Sequence, residues 1–489
     1  MGPHPELAEL TATELSTLLQ KGEVSSLELV EMSLARIGAL DEGRTRAVIE
    51  VNPDAFDIAR RSDAERRRRR VRGPLHGLPL LVKDNIDTGD RMLTTAGSLA
   101  MTAAPASRDA PLVARLRRAG AVLIGKTNLS EWANARSTRS ASGWSGRGRQ
   151  TRNPHFLDRN PSGSSSGSGV AAAAGYAAIT IGTETDGSIV SPSSMNGVVG
   201  MKPGVGVVSQ AGIVPIAASQ DSAGPMTRGV EDAAMVLAAI ANRSAGYTAG
   251  LRKSSLRGRR IGVLREPFTG YSEHTDRCYE TALVALRDAS AVLVDVEFPA
   301  AQELRGSQIE KTILLHELKA GLNAYLGTRK GLAVKNLAGV IRWNRAHAAE
   351  EMPYFRQEFF ELAQATRGLT SKAYREARET ALRLSRTDGI DRLIRKHRLA
   401  ALLAPSGGPA GMIDEVGGDK FLGGSTQPAA VAGYPIITVP AGNAFGLPLG
   451  VSFFAGAGSE ARLLSLAFAF EQTVNARRVP EFLPTLRLA

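Results

Sequence analysis

The stretch from Asn153 to Gly206, NPHFLDRNPSGSSSGSGVAAAAGYAAITIGTETDGSIVSPSSMNGVVGMKPGVG, constrains the fold more than any other part of the chain. Its density of glycine, serine and alanine is that of a flexible linker, yet it contains the run Val170 to Ile181, which is apolar and alanine-rich. Such a run predicts a tightly packed helix leading into a strand. The segment is therefore read as part of a core.

The texture on either side agrees with an α/β fold. Short apolar runs such as LPLLV (Leu78 to Val82) and AVLIG (Ala121 to Gly125) end in polar residues, as buried strands do. Chemistry in such a fold is expected at strand ends. Before them, Thr11 with Glu14 and Ser25 with Glu28 fit the capping-box spacing, and Leu27, Val30, Leu34 and Ile37 share one helical face. From Gln302 to Leu399 the pattern is helical and charged, with Pro353 as the only proline. ALLAPSGGPA and YPIITVPAG then return to strand texture, and Glu460 to Asn475 reads as a closing helix. A sheet left near residue 300 and rejoined near 400 predicts one α/β domain over residues 1–489. Its parts are N-terminal helices (1–72), a core (73–300), a helical insertion or cap (300–400) and a return to the sheet (400–489).

Composition narrows the function classes. The chain has 489 residues, 43% of them hydrophobic and 22% charged, which is globular material. Its single cysteine, Cys278, precludes an internal disulfide, and neither an apolar leader nor a membrane-length apolar stretch is evident, so the default expectation is cytoplasmic. A net charge of +12 and the run Arg66 to Arg70 with Arg72 invite a nucleic-acid reading. That run, however, follows helical material from Asp54 to Glu65, stops at Gly73-Pro74 and lacks interleaved aromatics, so cations at a helix C-terminus account for it. The seven histidines (His4, His76, His155, His274, His316, His347, His397) form no metal-ligand spacing, and neither a P-loop nor G-x-G-x-x-G is present. No metal and no cofactor are expected. Gly163-Ser164-Ser165-Ser166-Gly167 matches the G-x-S-x-G elbow of α/β-hydrolases, but the residues before it, LDRNPS, are not a strand, and no histidine falls at an evident strand end.

A different layout accounts for the same segment. Ser162 to Ser168, Gly182 to Ile189 and Gly197 to Pro203 resemble the G-G-S-S-G-G loop, the G-T-D-T-G-G-S-I turn and the G-x-x-G-x-K-P tail of the amidase signature family. GPLHGLPLLVKDNID (Gly73 to Asp87), SQDSAGPMTR (Ser219 to Arg228), YPIITVPAG and GLPLGVSF also match family blocks, so the resemblance covers nearly the whole chain, least in the helical insertion. It implies a large mixed central β-sheet with helices on both faces. It also implies a catalytic triad of Lys83, Ser164 and Ser188, with Ser164 in a cis peptide; the family spacing to Ser188 selects Ser164 over Ser165, which becomes a supporting residue.

The residue types suit this chemistry. A serine hydroxyl needs a base, and a lysine amine is a base only when burial depresses its pKa. Lys83 follows an apolar run, as such a position requires. By resemblance, Ser164 passes the proton of nucleophile Ser188 to Lys83 and returns it to the leaving amine. The N–H groups of Thr185, Asp186, Gly187 and Ser188 are expected to form an oxyanion hole, and Gly163 and Gly167 to ease backbone strain around Ser164.

SGWSGRGRQTRNPH, TETDGSIV and SQDSAGPM look most like bacterial peptide amidases, which release ammonia from peptide C-terminal amides. Two departures from the common family pattern bear on the substrate. Asp186 replaces a glycine, and Val190 stands where many members have arginine, which favours a neutral amide over an anionic one. Asn134, Ala135 and Arg136 are expected to line the acyl side, with Trp132 beneath. The partner is a small or peptide amide, with no nucleic acid or membrane, and the chain a monomer or homodimer. The alternatives are the amidase component of a glutamyl-tRNA amidotransferase, an aryl or fatty amide hydrolase, and a basic nucleic-acid-binding protein.

Overall fold

Capping fixes where the first helices begin. Thr11 and Ser25 each accept from the third helical N–H while Glu14 and Glu28 reach back, closing both boxes and starting helices Ala12–Lys21 and Ser26–Leu40. In this computed structural model residues 5–243 and 245–487 are described, so the chain's first four residues, His4 among them, lie outside.

Eleven strands form one sheet: β1 Val48–Val51, β2 Pro79–Lys83, β3 Val122–Thr127, β4 Ile179–Glu184, β5 Val199–Lys202, β6 Ser222–Thr227, β7 Arg260–Leu264, β8 Val292–Val296, β9 Ala401–Pro405, β10 Ile436–Ala444 and β11 Leu447–Phe454. Their order is β1-β3-β2-β4-β6-β5-β10-β11-β9-β7-β8. β2 runs parallel to both β3 and β4, whereas β10 is antiparallel to β5 and β11, so the sheet is mixed. Strands formed after residue 400 pair with β5 and β7, completing the sheet begun before the insertion.

Alternation along the strands distributes the core. Leu80 and Val82 of β2, with Leu403, Val439 and Phe453, pack under helices Val230–Ile240, Glu273–Asp288 and Glu460–Val474. Leu81 faces the other way, toward Val30, Val170 and Ala171. Farther along that second face, Leu402, Ile436 and Phe454 meet Leu304, Ile313 and Leu384 of the insertion. Helices therefore cover both faces.

Three local expectations change. The N-terminal part is not only helical: VIEV makes edge strand β1 between two helices. The Ala-rich helix begins earlier than Val170, at Ser166, and ends at Ala173. The insertion is broken at several places besides Pro353, giving separate helices such as Ile309–Thr328, Leu337–Ala346, Glu358–Gln364 and Lys372–Leu382, with left-handed Gly331 and Gly368 in the breaks and Asn336 and Ser371 capping the helices that follow. The arginine run closes helix Ala55–Arg67, where Arg66 donates to the His76 carbonyl and Arg72 pairs with Glu65.

The insertion is tied to the strand that ends in Lys83. Arg329, only 4% exposed, donates to the carbonyls of Thr94 (3.2 Å) and Ala104 (3.0 Å) and lies 3.4 Å from Asp87 Oδ1. Tyr325 donates to the same carboxyl at 2.8 Å. Removing one partner of such a buried set costs about 3–5 kcal/mol. Arg329→Met is therefore expected to lower the thermal unfolding midpoint by several degrees and to speed amide exchange in the insertion; an unchanged midpoint would show that the tether is unimportant.

Candidate active site

β2 and β4 are parallel neighbours, so their C-terminal ends open on the same side of the sheet. Lys83 is the last residue of β2, on the face of Leu81, and Glu184 is the last of β4. Helix Ser166–Ala173 packs on that face, which brings Ser164 and Ser165, just before its N-terminus, over the Lys83 amine.

Lys83 is fully buried, and its Nζ lies 2.7 Å from Ser164 Oγ, 3.1 Å from Ser165 Oγ, 3.0 Å from Thr183 Oγ1 and 3.3 Å from the Thr183 carbonyl. All four are neutral oxygens. Among the described residues no carboxylate ion-pairs with it. Burial drives the amine well below the usual lysine range, against the more distant pull of Glu184 and Asp221. Ser165 donates to the Thr183 carbonyl and Asn85 donates to Thr183 Oγ1, leaving the Ser164 hydroxyl as a neighbour whose proton is not committed elsewhere.

The Gly163–Ser164 peptide is cis. The flanking glycines serve close approach, not relief of strain: a Cβ on Gly163 would stand 2.2 Å from Ser130 Oγ, and one on Gly167 2.2 Å from the Ala47 carbonyl. Neither has positive φ.

The turn Thr185–Ser188 joins β4 to helix Val190–Asn196. Glu184 Oε2 accepts from the N–H groups of Ile189 (2.7 Å) and Val190 (2.9 Å), folding the turn back on its own strand. Thr185 donates to Asp221 at 2.5 Å, and Asp221 also accepts from Ile216 and Ala217 N–H. Burial pushes the Asp221 carboxyl up to about 6, although these donors pull it down. Gly187 has φ +78°, and a Cβ there would meet Ser191 Oγ at 3.1 Å and Thr426 Oγ1 at 3.3 Å, so this turn needs glycine. Among the described residues no hydrogen bond uses the N–H of Thr185, Asp186, Gly187 or Ser188. Ser188 is 8% exposed, and its carbonyl accepts from Ser165 N–H at 3.1 Å. The two loops are thus joined through backbone, while no hydrogen bond between the Ser188 and Ser164 hydroxyls is present.

Two cavities flank the turn. One, of about 30 Å³, is lined by Ser164, Thr185 and Asp221 among others. The other is a cleft of about 510 Å³ reaching from Gly163 and Gly187 to the loop 408–423, where Met412, Phe421 and Leu422 are exposed. Asp186 and Asn134 line this cleft. Burial raises the Asp186 carboxyl well above its usual range, reinforced by Glu310 and Glu184 and opposed by the Thr426 hydroxyl.

The residues grouped with Asn134 separate. Trp132, Ala133 and Asn134 all take left-handed backbone, a sharp turn that leaves Trp132 packed on the edge of Phe360 in the core. Ala135 is buried beside it. Arg136 is fully buried and does not line the cleft: it donates to the carbonyls of Phe355 and Arg356, lies 3.3 Å from Glu131 and stacks over Trp144 and Phe355. It fastens the insertion. Thr183, Glu184 and Asp221 were not singled out from sequence; Glu184 had a local signal, an acid next to a Gly-Ser turn.

The described histidines sit elsewhere. His76 Nε2 and His155 Nε2 bond backbone carbonyls, with burial lowering His155 to about 4, and His347 stacks on Trp343. Neither cavity is lined by a histidine. Among the described residues, no three His, Cys, Asp or Glu side chains gather as a metal site, and no helix is long and apolar enough to cross a membrane.

Comparison with known proteins agrees with this architecture. The sequence model of the Amidase family matches residues 28–464. A probable amidase of Arabidopsis thaliana is 39% identical, covering 98% of this chain and 92% of its own. A glutamyl-tRNA(Gln) amidotransferase subunit from Moorella thermoacetica is 35% identical, covering 97% and 99%. The crystal structure of native peptide amidase from Stenotrophomonas maltophilia superposes with a TM-score of 0.93 at 49% identity, covering 98% of this chain and 100% of that one. The chain belongs to the amidase signature family, whose enzymes hydrolyse amides.

Proposed function

We propose that the chain hydrolyses neutral carboxamides, foremost the C-terminal amide of peptides, releasing ammonia through an acyl-enzyme on Ser188. The observation that carries this reading is the buried Lys83 amine, held by neutral oxygens 2.7 Å from Ser164 Oγ.

A neutral amine has a lone pair for the Ser164 proton, and Ser164 in turn takes the proton of Ser188 as that oxygen attacks the amide carbon. Ser188 and Ser164 must approach for this; catalytic hydrogen bonds often tighten only when substrate is bound. The carbonyl oxygen becomes an oxyanion, and the unpartnered N–H groups of residues 185–188 are there to receive it. As the C–N bond breaks, the proton on Lys83 returns through Ser164 to the departing nitrogen, which leaves as ammonia. Water then repeats the sequence on the acyl-Ser188 ester and frees the acid.

Peptide amides are favoured on three grounds. The peptide amidase of Stenotrophomonas maltophilia shares 49% identity over nearly the full length. The cleft has apolar side chains at its mouth for a residue next to the amide. Val190 is fully buried in apolar surroundings, and the described cleft wall sets Lys420 against Asp414 and Asp419, a poor host for anionic substrates. The amidotransferase reading is kept by the 35% identical relative of that name. Ammonia release from a peptide amide by this chain alone would argue against it.

The pH profile has a definite sign. The folded Lys83 amine has a depressed pKa, so it is protonated and inactive below that value and neutral above it; kcat/KM should fall on the acid side and level off as pH rises. Lys83→Ala and Lys83→Arg should both lower kcat/KM by about 100- to 10,000-fold, because neither supplies an acceptor. Near-normal activity in Lys83→Ala, or complete loss in a folded single His→Ala variant, would overturn the assignment. A serine-reactive phosphonate should label Ser188 by peptide mass spectrometry, with ammonia release unaffected by chelators in the unlabelled enzyme. Labelling of Ser165 would revive the nucleophile-elbow reading.

A further inference from the structure

The large cleft is the space that accepts the acyl part of a substrate, since a leaving amino group needs little room and the cavity of about 30 Å³ cannot hold a residue. Its wall contains several carboxyl and amide side chains, and most are committed to the protein. Asp414 Oδ1 accepts from Val416 and Gly417 N–H. Asp419 Oδ1 accepts from Ser142 N–H and Asn160 Nδ2. Asn160 Oδ1 accepts from Ser162 N–H. Asp186 differs: its Oδ1 is buried and has no partner. Asn134 Oδ1, in the same wall, is also buried and unpartnered.

We propose that the Asp186 side chain is a specificity-determining contact, whose free oxygen accepts a hydrogen bond from an N–H on the acyl part of the substrate. The site then favours amino-acid and peptide amides over amides whose acyl chain carries no N–H. This rests on the amide-hydrolase reading of Ser188 and deepens it. Position supports it, because Asp186 is two residues before Ser188 and lines the cleft beside Gly187. Chemistry supports it as well. A buried acceptor left without a donor is unfavourable, and a substrate N–H relieves that cost where a methylene or ether oxygen cannot.

Charge is also arranged for an uncharged contact. Glu310, from insertion helix Ile309–Thr328, accepts from Gln220 Nε2 and Gln427 Nε2, both at 2.8 Å. With that acid satisfied and facing Asp186, and Glu184 close by, burial favours the neutral form of Asp186. A neutral carboxyl group keeps acceptor lone pairs, so substrate can cover it without burying a new charge.

The test needs two substrates that differ in one N–H: N-acetyl-phenylalaninamide and its depsi analogue, 2-acetoxy-3-phenylpropanamide. The enzyme should prefer the first by about 10- to 100-fold in kcat/KM. Asp186→Ala should bring the ratio close to one, chiefly by losing activity on the first substrate, while Asp186→Asn retains most of the preference through its amide oxygen. Equal use of the two substrates by the unaltered enzyme would overturn the proposal and leave amide hydrolysis standing. A parallel fall on both substrates in Asp186→Ala would overturn it too, marking Asp186 as a support of the turn. If the unaltered enzyme hydrolyses neither, the amide-hydrolase reading fails and takes this inference with it.

Discussion

The site depends on the Lys83 amine, kept out of water and held by neutral oxygens. Charged, such a group costs many kcal/mol to bury, and that cost lowers the pKa of the amine well below the usual lysine range. For this to hold, nearby carboxylates must not reach the amine, because an ion pair would restore the charge. Glu184 and Asp221 are both close enough to be felt. The fold turns each of them toward backbone: Glu184 Oε2 to Ile189 and Val190 N–H, Asp221 to Ile216 and Ala217 N–H and to the Thr185 hydroxyl. The same contacts shape the turn that carries Ser188. Keeping acids away from the Lys83 amine and fixing the turn that carries Ser188 are therefore one arrangement.

Topology explains how residues so far apart in sequence converge. Parallel strands place their C-terminal ends together, so Lys83 on β2 and the end of β4 need no special loop to meet. The connection between them carries helix Ser166–Ala173, whose small residues let it lie close to β4, and whose start must come within contact of the strand ends. The close approaches at Gly163 and Gly167 show how little space is left there. A serine placed by such tight packing has few alternative positions, which is what a proton relay of short steps requires.

Much of this was legible because its signals are local. A lysine after an apolar run, a Gly/Ser loop before an alanine-rich helix and a Gly-Ser turn after a strand can each be recognised in a window of a few residues. What was not legible depends on distance along the chain. Glu310 meets Gln220 and Gln427, 90 and 117 residues away, and nothing near any of the three announces it. Arg136 stood next to Asn134 and was grouped with it, yet the left-handed backbone from Trp132 to Asn134 sends neighbours to different places. A four-residue edge strand such as β1 lies between helical patterns and is too short to show a period of its own. The breaks in the insertion had local signals besides Pro353: Gly331 and Gly368 take positive φ between helices, and Asn336 and Ser371 cap the helices that follow.

The distribution of these features separates two jobs within one site. The hydroxyls and the carbonyl around the Lys83 amine belong to β4 and to the loop packed on it, and they hydrogen-bond that amine or one another. The cleft wall draws mostly on other parts, the loop 408–423 and the turn at Asn134, but it includes Gly163, Asp186 and Gly187, and Glu310 of the insertion stands behind Asp186. Asp186 joins the two parts, because it lies in the turn that carries Ser188 and also lines the cleft. Burial raises its carboxyl first, and the two acids that reinforce this, Glu310 and Glu184, come one from the insertion and one from the end of β4, so a carboxyl group lies between the insertion and the turn that carries Ser188.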